Sequence, residues 1–240
     1  MRLGLSVLAV LALGACDPKV PDSAAGPKRD QIGAYGAEVV RIMGPRSNAA
    51  QAVLRAVDEG IAYASHTFSP FGLAGYATAA YELVEQMEAP AAVIVPAGQG
   101  NLLLALGRGF KALLAAGRIA KLPRLVGVQA RACAPLWAVF HYGAAGYGWV
   151  TEGQTLAEGV RIKHPVRGDA VLQVVSESEG TFVAVDEGEI LPGRDQLARR
   201  GFYVEPTSAI VWSALHQLEK ELPDPVAVIL TGSGLKSPSS

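Results

Sequence analysis

The order of apolar and polar positions predicts strands alternating with helices from residue 38 onward. Short apolar or β-rich runs predict strands at 38–43, 91–95, 125–129, 181–185 and 226–230. Amphipathic runs predict helices at 48–59, 76–87, 101–116 and 207–222, and another at 189–200 that is interrupted near Pro192. Residues 61–74 are predicted as a loop, and 130–180 has no clear pattern.

The clearest unit of the chain is a strand, a tight turn, a helix and a second buried strand between residues 91 and 129. Such a crossover joins parallel strands, whose sheet is covered by helices. The predicted fold class is therefore α/β, with an open, doubly wound, mostly parallel sheet and helices on both faces.

A glycine-bearing turn, 96–101, follows the strand at 91–95. Gly98 and Gly100 allow backbone N–H groups to approach an anion, and the positive end of the next helix begins at Asn101, so a phosphate fits here. The spacing is neither a Walker A loop nor a dinucleotide fingerprint. A purely structural βα turn stays open as the alternative.

A second turn, 231–234, follows the last predicted strand and carries two hydroxyl groups, those of Thr231 and Ser233. In a parallel sheet, ligands bind beyond the carboxyl ends of the strands. A neutral hydroxyl there can bond a ring nitrogen without protonating it. The alternative is a polar strand end whose hydroxyls satisfy their own turn.

Composition excludes several classes of function. The 240 residues carry 21 basic and 22 acidic side chains, a net charge of −1, so there is no basic surface for nucleic acid. The two cysteines, Cys16 and Cys133, are too far apart in sequence for a zinc motif. The four histidines lie in unrelated contexts, so no metal site is predicted.

The first residues resemble a targeting segment. The apolar run 3–16 is too short to span a bilayer, but Leu13-Gly14-Ala15-Cys16 is similar to the lipobox of bacterial lipoproteins. Residues 1–27 are therefore predicted as a signal-like or disrupted segment, with anchoring through Cys16 as one alternative. A buried strand or helix is the other.

Taken together, the turns and their flanking sequences resemble the fold-type II pyridoxal phosphate enzymes. This is the superfamily of the tryptophan synthase β-subunit, and the closest resemblance is to threonine synthase and threonine synthase-like proteins. The matching stretches are 28–32, 35–40, 75–86, 95–104 (VPAGQGNLLL), 127–129, 204–209 (VEPTSA) and 230–236 (LTGSGLK).

The resemblance implies a cofactor, pyridoxal 5'-phosphate, and its contacts. Gly98, Gln99, Gly100 and Asn101 match the loop whose amides hold the cofactor phosphate, and Thr231 matches the residue that bonds the pyridine nitrogen. The implied function is a lyase that acts on an amino acid or O-phospho-amino acid by β or γ elimination or replacement. A serine/threonine deaminase and a cysteine synthase-like β-replacement enzyme are the alternatives within the family.

One departure from the family pattern bears on activity. Members carry a Schiff-base lysine in a Ser/Phe-Lys-Asp context and a Ser-x-Gly-Asn substrate loop, and neither occurs here. No catalytic residue is therefore identified, and we expect the chain to be inactive as given and incomplete at its N-terminus. A non-catalytic phosphate-ligand-binding protein and a lipoprotein are the alternatives outside enzymology.

The resemblance also divides the chain. Residues 28–72 are predicted as a remnant of the small domain and 73–240 as the large cofactor-binding domain. We expect a cytoplasmic protein with a small amino-acid substrate. Loss of leading strands would expose a sheet edge and an apolar face, so a homodimer is possible.

Overall fold

The structure, a computed structural model, describes residues 19–21, 26–44, 46–69 and 71–236. These residues fall into two compact units, one before Thr67 and one that begins at Thr67. The predicted division into a small-domain remnant and a large cofactor-binding domain stays a prediction. Cys16 and the rest of the signal-like segment before Lys19 lie outside the described residues.

In its described residues, the first unit contains two short strands and two helices. Strands β1 (Lys19–Pro21) and β2 (Val40–Ile42) pair in parallel. Helix α1 is Gly26–Ala34, and α2 is Arg46–Asp58. Helix α2 buries Ala49, Ala52 and Ala56, which lie on one face because they are three and four positions apart.

The second unit contains six helices and four strands in its described residues. Its helices are α3 (Gly72–Met87), α4 (Asn101–Ala115), α5 (Pro135–Gly146), α6 (Gly168–Glu177), α7 (Glu187–Arg199) and α8 (Pro206–Leu218). Its strands are β3 (Ala92–Pro96), β4 (Arg124–Ala130), β5 (Thr181–Val185) and β6 (Val226–Val228). The strand order is β5-β4-β3-β6, and every pair is parallel. The predicted fold class is confirmed.

The sheet separates two apolar clusters. Alternate strand residues point to opposite faces, so Val93, Val95 and Leu125 pack with α3, α4, α5 and α6, whereas Ile94 and Val126 pack with α7 and α8. All five residues of β3 are buried, which explains its uninterrupted apolar sequence.

Several predicted boundaries were wrong. Helix α3 begins at Gly72, inside the predicted loop, and α7 runs through Pro192 without interruption. Proline removes one N–H donor from a helix, but α7 stays packed against α8, where Gly193 approaches the Ser213 hydroxyl. Helix α8 ends at Leu218 and β6 at Val228, both earlier than predicted. The unassigned region 130–180 contains α5 and α6.

Among the residues described, no helix combines the length and the apolar character that a membrane crossing requires.

Candidate functional site

The turn between β3 and α4 is shaped by a left-handed residue. Gly100 immediately precedes α4 and has φ of +75°, a conformation that glycine adopts at little cost. It allows the chain to leave the sheet and enter the helix at Asn101 within four residues. The predicted turn is thus present, at the carboxyl end of the central strand β3.

Backbone donors at this turn are free to bind a ligand. Within the described part of the chain, the N–H groups of residues 98–101 donate to no protein acceptor. The first N–H groups of a helix lack partners inside the helix, and the helix dipole places positive potential beside them. The turn therefore has the donors and the field that an anion requires.

The segment 159–171 packs against three residues of this turn. A β-carbon on Gly98 would lie 2.7 Å from the Gly159 carbonyl oxygen, and one on Gly100 would lie 2.7 Å from a methyl carbon of Val171. The Gln99 side-chain oxygen accepts a hydrogen bond from the Val166 N–H at 2.9 Å. Neither Gly98 nor Gly100 therefore has room for a β-carbon, and the Gln99 side-chain oxygen already has a hydrogen-bond partner.

Asn101 carries a buried polar group that lacks a partner. Its side chain is 7% exposed. Its Oδ1 accepts from an Arg167 guanidinium nitrogen at 3.3 Å, whereas its Nδ2 has no hydrogen-bond partner among the described residues. A buried N–H₂ without an acceptor is costly, by roughly 1–3 kcal/mol, and points to a ligand that is not part of the protein. This orphan donor and the free backbone N–H groups fit a phosphate.

Gln129 holds the base of the turn. Its side chain is fully buried; Nε2 donates to the Ala97 carbonyl at 2.9 Å, and Oε1 accepts from the Trp137 N–H at 3.0 Å. The Ala97 N–H donates to the Val128 carbonyl at 2.8 Å. These bonds tie the residue before Gly98 to β4 and α5.

Thr231 follows β6, the strand that pairs with β3. Ile94 pairs with Val228, so the same offset continued beyond the strands would place Thr231 opposite Ala97, with neighbouring strands about 4.8 Å apart. The Thr231 N–H donates to the Ser208 hydroxyl at 2.8 Å. The Thr231 hydroxyl makes no hydrogen bond with the described residues. The two predicted turns thus lie at the same edge of the sheet, on neighbouring strands.

The start of α8 supports the second turn. The Glu205 N–H donates to the Gly232 carbonyl at 3.0 Å, and Val204 and Ser233 form an antiparallel bridge. An open pocket of about 340 Å³ lies between residues 201–204 and 230–233, and Thr231 lines it. A somewhat larger groove, about 400 Å³, lies between α3 and α4 and contains none of the predicted site residues.

Tyr147 anchors the segment 159–171, which packs against the turn 96–101. Its hydroxyl donates to the Lys163 carbonyl at 3.2 Å and also contacts Nδ1 of His164. Burial raises the pKa of Tyr147 above its usual value, and the neighbouring Cys133 side chain raises it further. Both causes favour the protonated phenol, which is the form that donates to this segment.

Three residues of the site had no predicted role. Gln129 and Ser208 lay in the stretches 127–129 and 204–209, which matched the family. Arg167 had no such signal, because its partner Asn101 is 66 positions away.

Fold and site together define a class. A parallel sheet covered by helices, with a turn of free N–H donors and a hydroxyl-bearing turn at the same edge, is the arrangement of an α/β protein whose candidate ligand site lies beyond the carboxyl ends of its strands.

The chain belongs to the pyridoxal-phosphate dependent enzyme family. The family model of that description matches residues 2–232. The resemblance to fold-type II pyridoxal phosphate enzymes is therefore confirmed, and pyridoxal phosphate is the cofactor of this family.

The curated relatives are named threonine synthase. That of Methanocaldococcus jannaschii is 32% identical over 213 residues, which are 86% of this chain and 53% of the relative. That of Synechocystis sp. is also 32% identical, over 85% of this chain and 52% of the relative. The chain therefore spans about half the length of the curated relatives it matches.

Solved structures agree on the fold. A threonine deaminase from the organism abbreviated T.th. has a TM-score of 0.70 and 28% identity, over 90% of this chain and 68% of the deaminase. The L-serine ammonia-lyase from Rhizomucor miehei has a TM-score of 0.72 over 90% of this chain and 69% of the lyase. Its identity is 19%, so it supports the fold alone.

Proposed function

We propose that this chain is the cofactor-binding part of a threonine synthase-like enzyme. The N–H groups of Gly98, Gln99, Gly100 and Asn101 would hold the phosphate of pyridoxal phosphate, and the Thr231 hydroxyl would donate to its pyridine nitrogen. The observation that carries the proposal is the set of unpaired donors at the start of α4, beside the strand that leads to Thr231.

When bound, pyridoxal phosphate supplies an electron sink for reactions at the carbon that bears the amino group of an amino acid. The chain's part is to hold and orient the cofactor. The Thr231 hydroxyl donates to a ring nitrogen without protonating it, which favours elimination or replacement over reactions that need a stronger sink. Ser208 holds the Thr231 backbone through the 2.8 Å bond.

The proposed substrate is an amino acid or an O-phospho-amino acid. Support comes from curated relatives named threonine synthase at about 30% identity. A second candidate, deamination of serine or threonine, is favoured by the 28% identity to a structure titled threonine deaminase. Both candidates use the same cofactor site.

We further propose that the 240-residue chain by itself holds the cofactor without a covalent bond and does not turn over substrate. No lysine of the printed sequence has the Ser/Phe-Lys-Asp context of the family.

The test is a titration of the purified chain with pyridoxal phosphate and, separately, with pyridoxal, which lacks the phosphate. Tryptophan fluorescence measures the binding. We expect saturable binding of the phosphorylated form and much weaker binding of pyridoxal. Dialysis should remove the cofactor, and borohydride should fix none of it to the protein. Failure to bind pyridoxal phosphate refutes the proposed function.

A matched pair of variants tests the second contact. Thr231→Val keeps the shape of the side chain but removes the hydroxyl, and should weaken cofactor binding about three- to tenfold because one neutral hydrogen bond is lost. Thr231→Ser retains the hydroxyl and should bind nearly as the unmodified chain. Equal binding by all three proteins would contradict the assignment of Thr231.

A further inference from the structure

We infer that Arg167 is a positioning residue that orients the Asn101 side chain, so that its N–H₂ becomes a fifth donor to the cofactor phosphate. This inference rests on the proposed function. It adds a contact from the Asn101 side chain to the four backbone contacts. It also assigns the orientation of that side chain to Arg167, which belongs to the segment 159–171.

The chemistry of the two side chains determines the orientation of the amide. A guanidinium has only donors, and an Arg167 nitrogen lies 3.3 Å from one terminal atom of Asn101. That atom must therefore be the oxygen, which leaves Nδ2 as the free end. Without Arg167, the amide could turn over and present its oxygen, which repels an anion.

Burial indicates that the free end needs an acceptor. Asn101 is 93% buried, and Nδ2 has no partner among the described residues. The residue is also the first of α4, in the same turn of helix as the free backbone N–H groups. A phosphate oxygen at this helix start satisfies the amide and accounts for an orphan that would otherwise be costly.

The position of Arg167 is itself fixed. The guanidinium nitrogen that contacts Asn101 also donates to the Thr67 carbonyl, and Arg167 directly precedes α6. The neighbouring Val166 N–H bonds Gln99, and Val171 packs on Gly100. The guanidinium therefore sits on a segment that contacts the turn at each of residues 98–101, and its positive charge adds to that of the helix end.

The experiment compares Arg167→Gln with Arg124→Gln. Arg124 also donates to two backbone carbonyls, those of Glu179 and Glu221. It begins β4, at the edge of the sheet opposite the turn. Arg124→Gln thus reproduces the structural loss without touching the site. Both variants are titrated with pyridoxal phosphate, with pyridoxal and with inorganic phosphate.

We expect Arg167→Gln to lose about tenfold or more in affinity for pyridoxal phosphate and for inorganic phosphate, because a charge-assisted contact is disturbed. Its affinity for pyridoxal should change less than about twofold. Arg124→Gln should change none of the three affinities. Arg167→Lys should recover part of the loss, because the cation still faces the amide oxygen.

Asn101→Asp provides a second measurement, which does not depend on the correct folding of the Arg167→Gln variant. The two side chains are of the same size, and aspartate can still pair with Arg167, but it places an oxygen where the N–H₂ was. We expect loss of phosphate-dependent binding. Unchanged phosphate dependence in Arg167→Gln or in Asn101→Asp overturns the inference, as does an equal loss of pyridoxal binding in Arg167→Gln. If the unmodified chain binds neither phosphate compound, the proposed function itself fails and the inference falls with it.

Discussion

The substitution Gly98→Ala tests whether the turn after β3 is an anion cradle or only a tight connection. A β-carbon on Gly98 would meet the Gly159 carbonyl oxygen at 2.7 Å and the Val160 Cα at 3.1 Å, where ordinary contact begins at 3.4 Å. Both obstacles are backbone atoms. The deficit at the oxygen is 3.4 − 2.7 = 0.7 Å, so either the turn or the 159–162 segment must move.

Two measurements should respond. Overpacking of this kind costs about 1–3 kcal/mol in the free energy of unfolding, which urea denaturation measures. A shift of the turn also moves its N–H groups away from the phosphate. The loss of one charge-assisted hydrogen bond should weaken pyridoxal phosphate binding by at least about tenfold, measured by fluorescence titration.

Gly188→Ala is the matched control. Gly188 lies at the start of α7, and nothing lies within 4 Å of an added β-carbon. A glycine-to-alanine change at a compatible helical position stabilises by about 0.4–1 kcal/mol. Gly188→Ala should therefore bind the cofactor unchanged and unfold at equal or higher urea. If Gly98→Ala is destabilised but binds as the unmodified chain does, the turn is structural and the cradle is refuted.

Two further substitutions test contacts around the site and on the surface. Gln129→Leu should lower the free energy of unfolding in urea by about 2–4 kcal/mol, because the Ala97 carbonyl and the Trp137 N–H both lose their partner; unchanged stability would show that these groups find other partners. Lys111→Gln should reduce the loss of stability in acid, because hydrogen bonds from Lys111 and then Gln173 lower the pKa of Glu177 in the folded state. That contribution is present above the unfolded pKa of Glu177 and is lost as pH falls through its lower folded pKa. The urea midpoints of the two proteins should therefore differ at neutral pH and converge in acid, and the difference should be small because Glu177 is exposed.

Local pattern predicted five of the six described strands and five of the eight described α-helices. Residues 92–96 and 125–130 are buried on both sides, so their sequences are apolar apart from Gln129 and are easily read. Boundaries were less accurate where tertiary packing overrode a local signal. Pro192 was expected to interrupt α7, yet the contacts of α7 with α8 keep the helix continuous.

The turn residues of the site could be proposed from sequence because glycine spacing and a helix start are local features. The segment 159–171 could not, because side-chain contacts rather than periodicity define it. It is held by the Gln99 and Asn101 side chains, by Tyr147 and by close packing on Gly98 and Gly100. Such partners are brought together only by the fold.

Sheet order decides whether the two predicted turns can serve one ligand. From chain order alone, the strand before Thr231 could be the outermost strand on either side of the sheet, since it follows β3 by well over 100 residues. The observed order places β6 directly beside β3, and parallel pairing puts both carboxyl ends at the same edge. Had β6 paired with β5 instead, β4 and β5 would separate the turns, and no small ring with a phosphate arm could reach both. The order β5-β4-β3-β6 is thus what would allow the proposed donors at 98–101 and the proposed hydroxyl at 231 to meet one ligand.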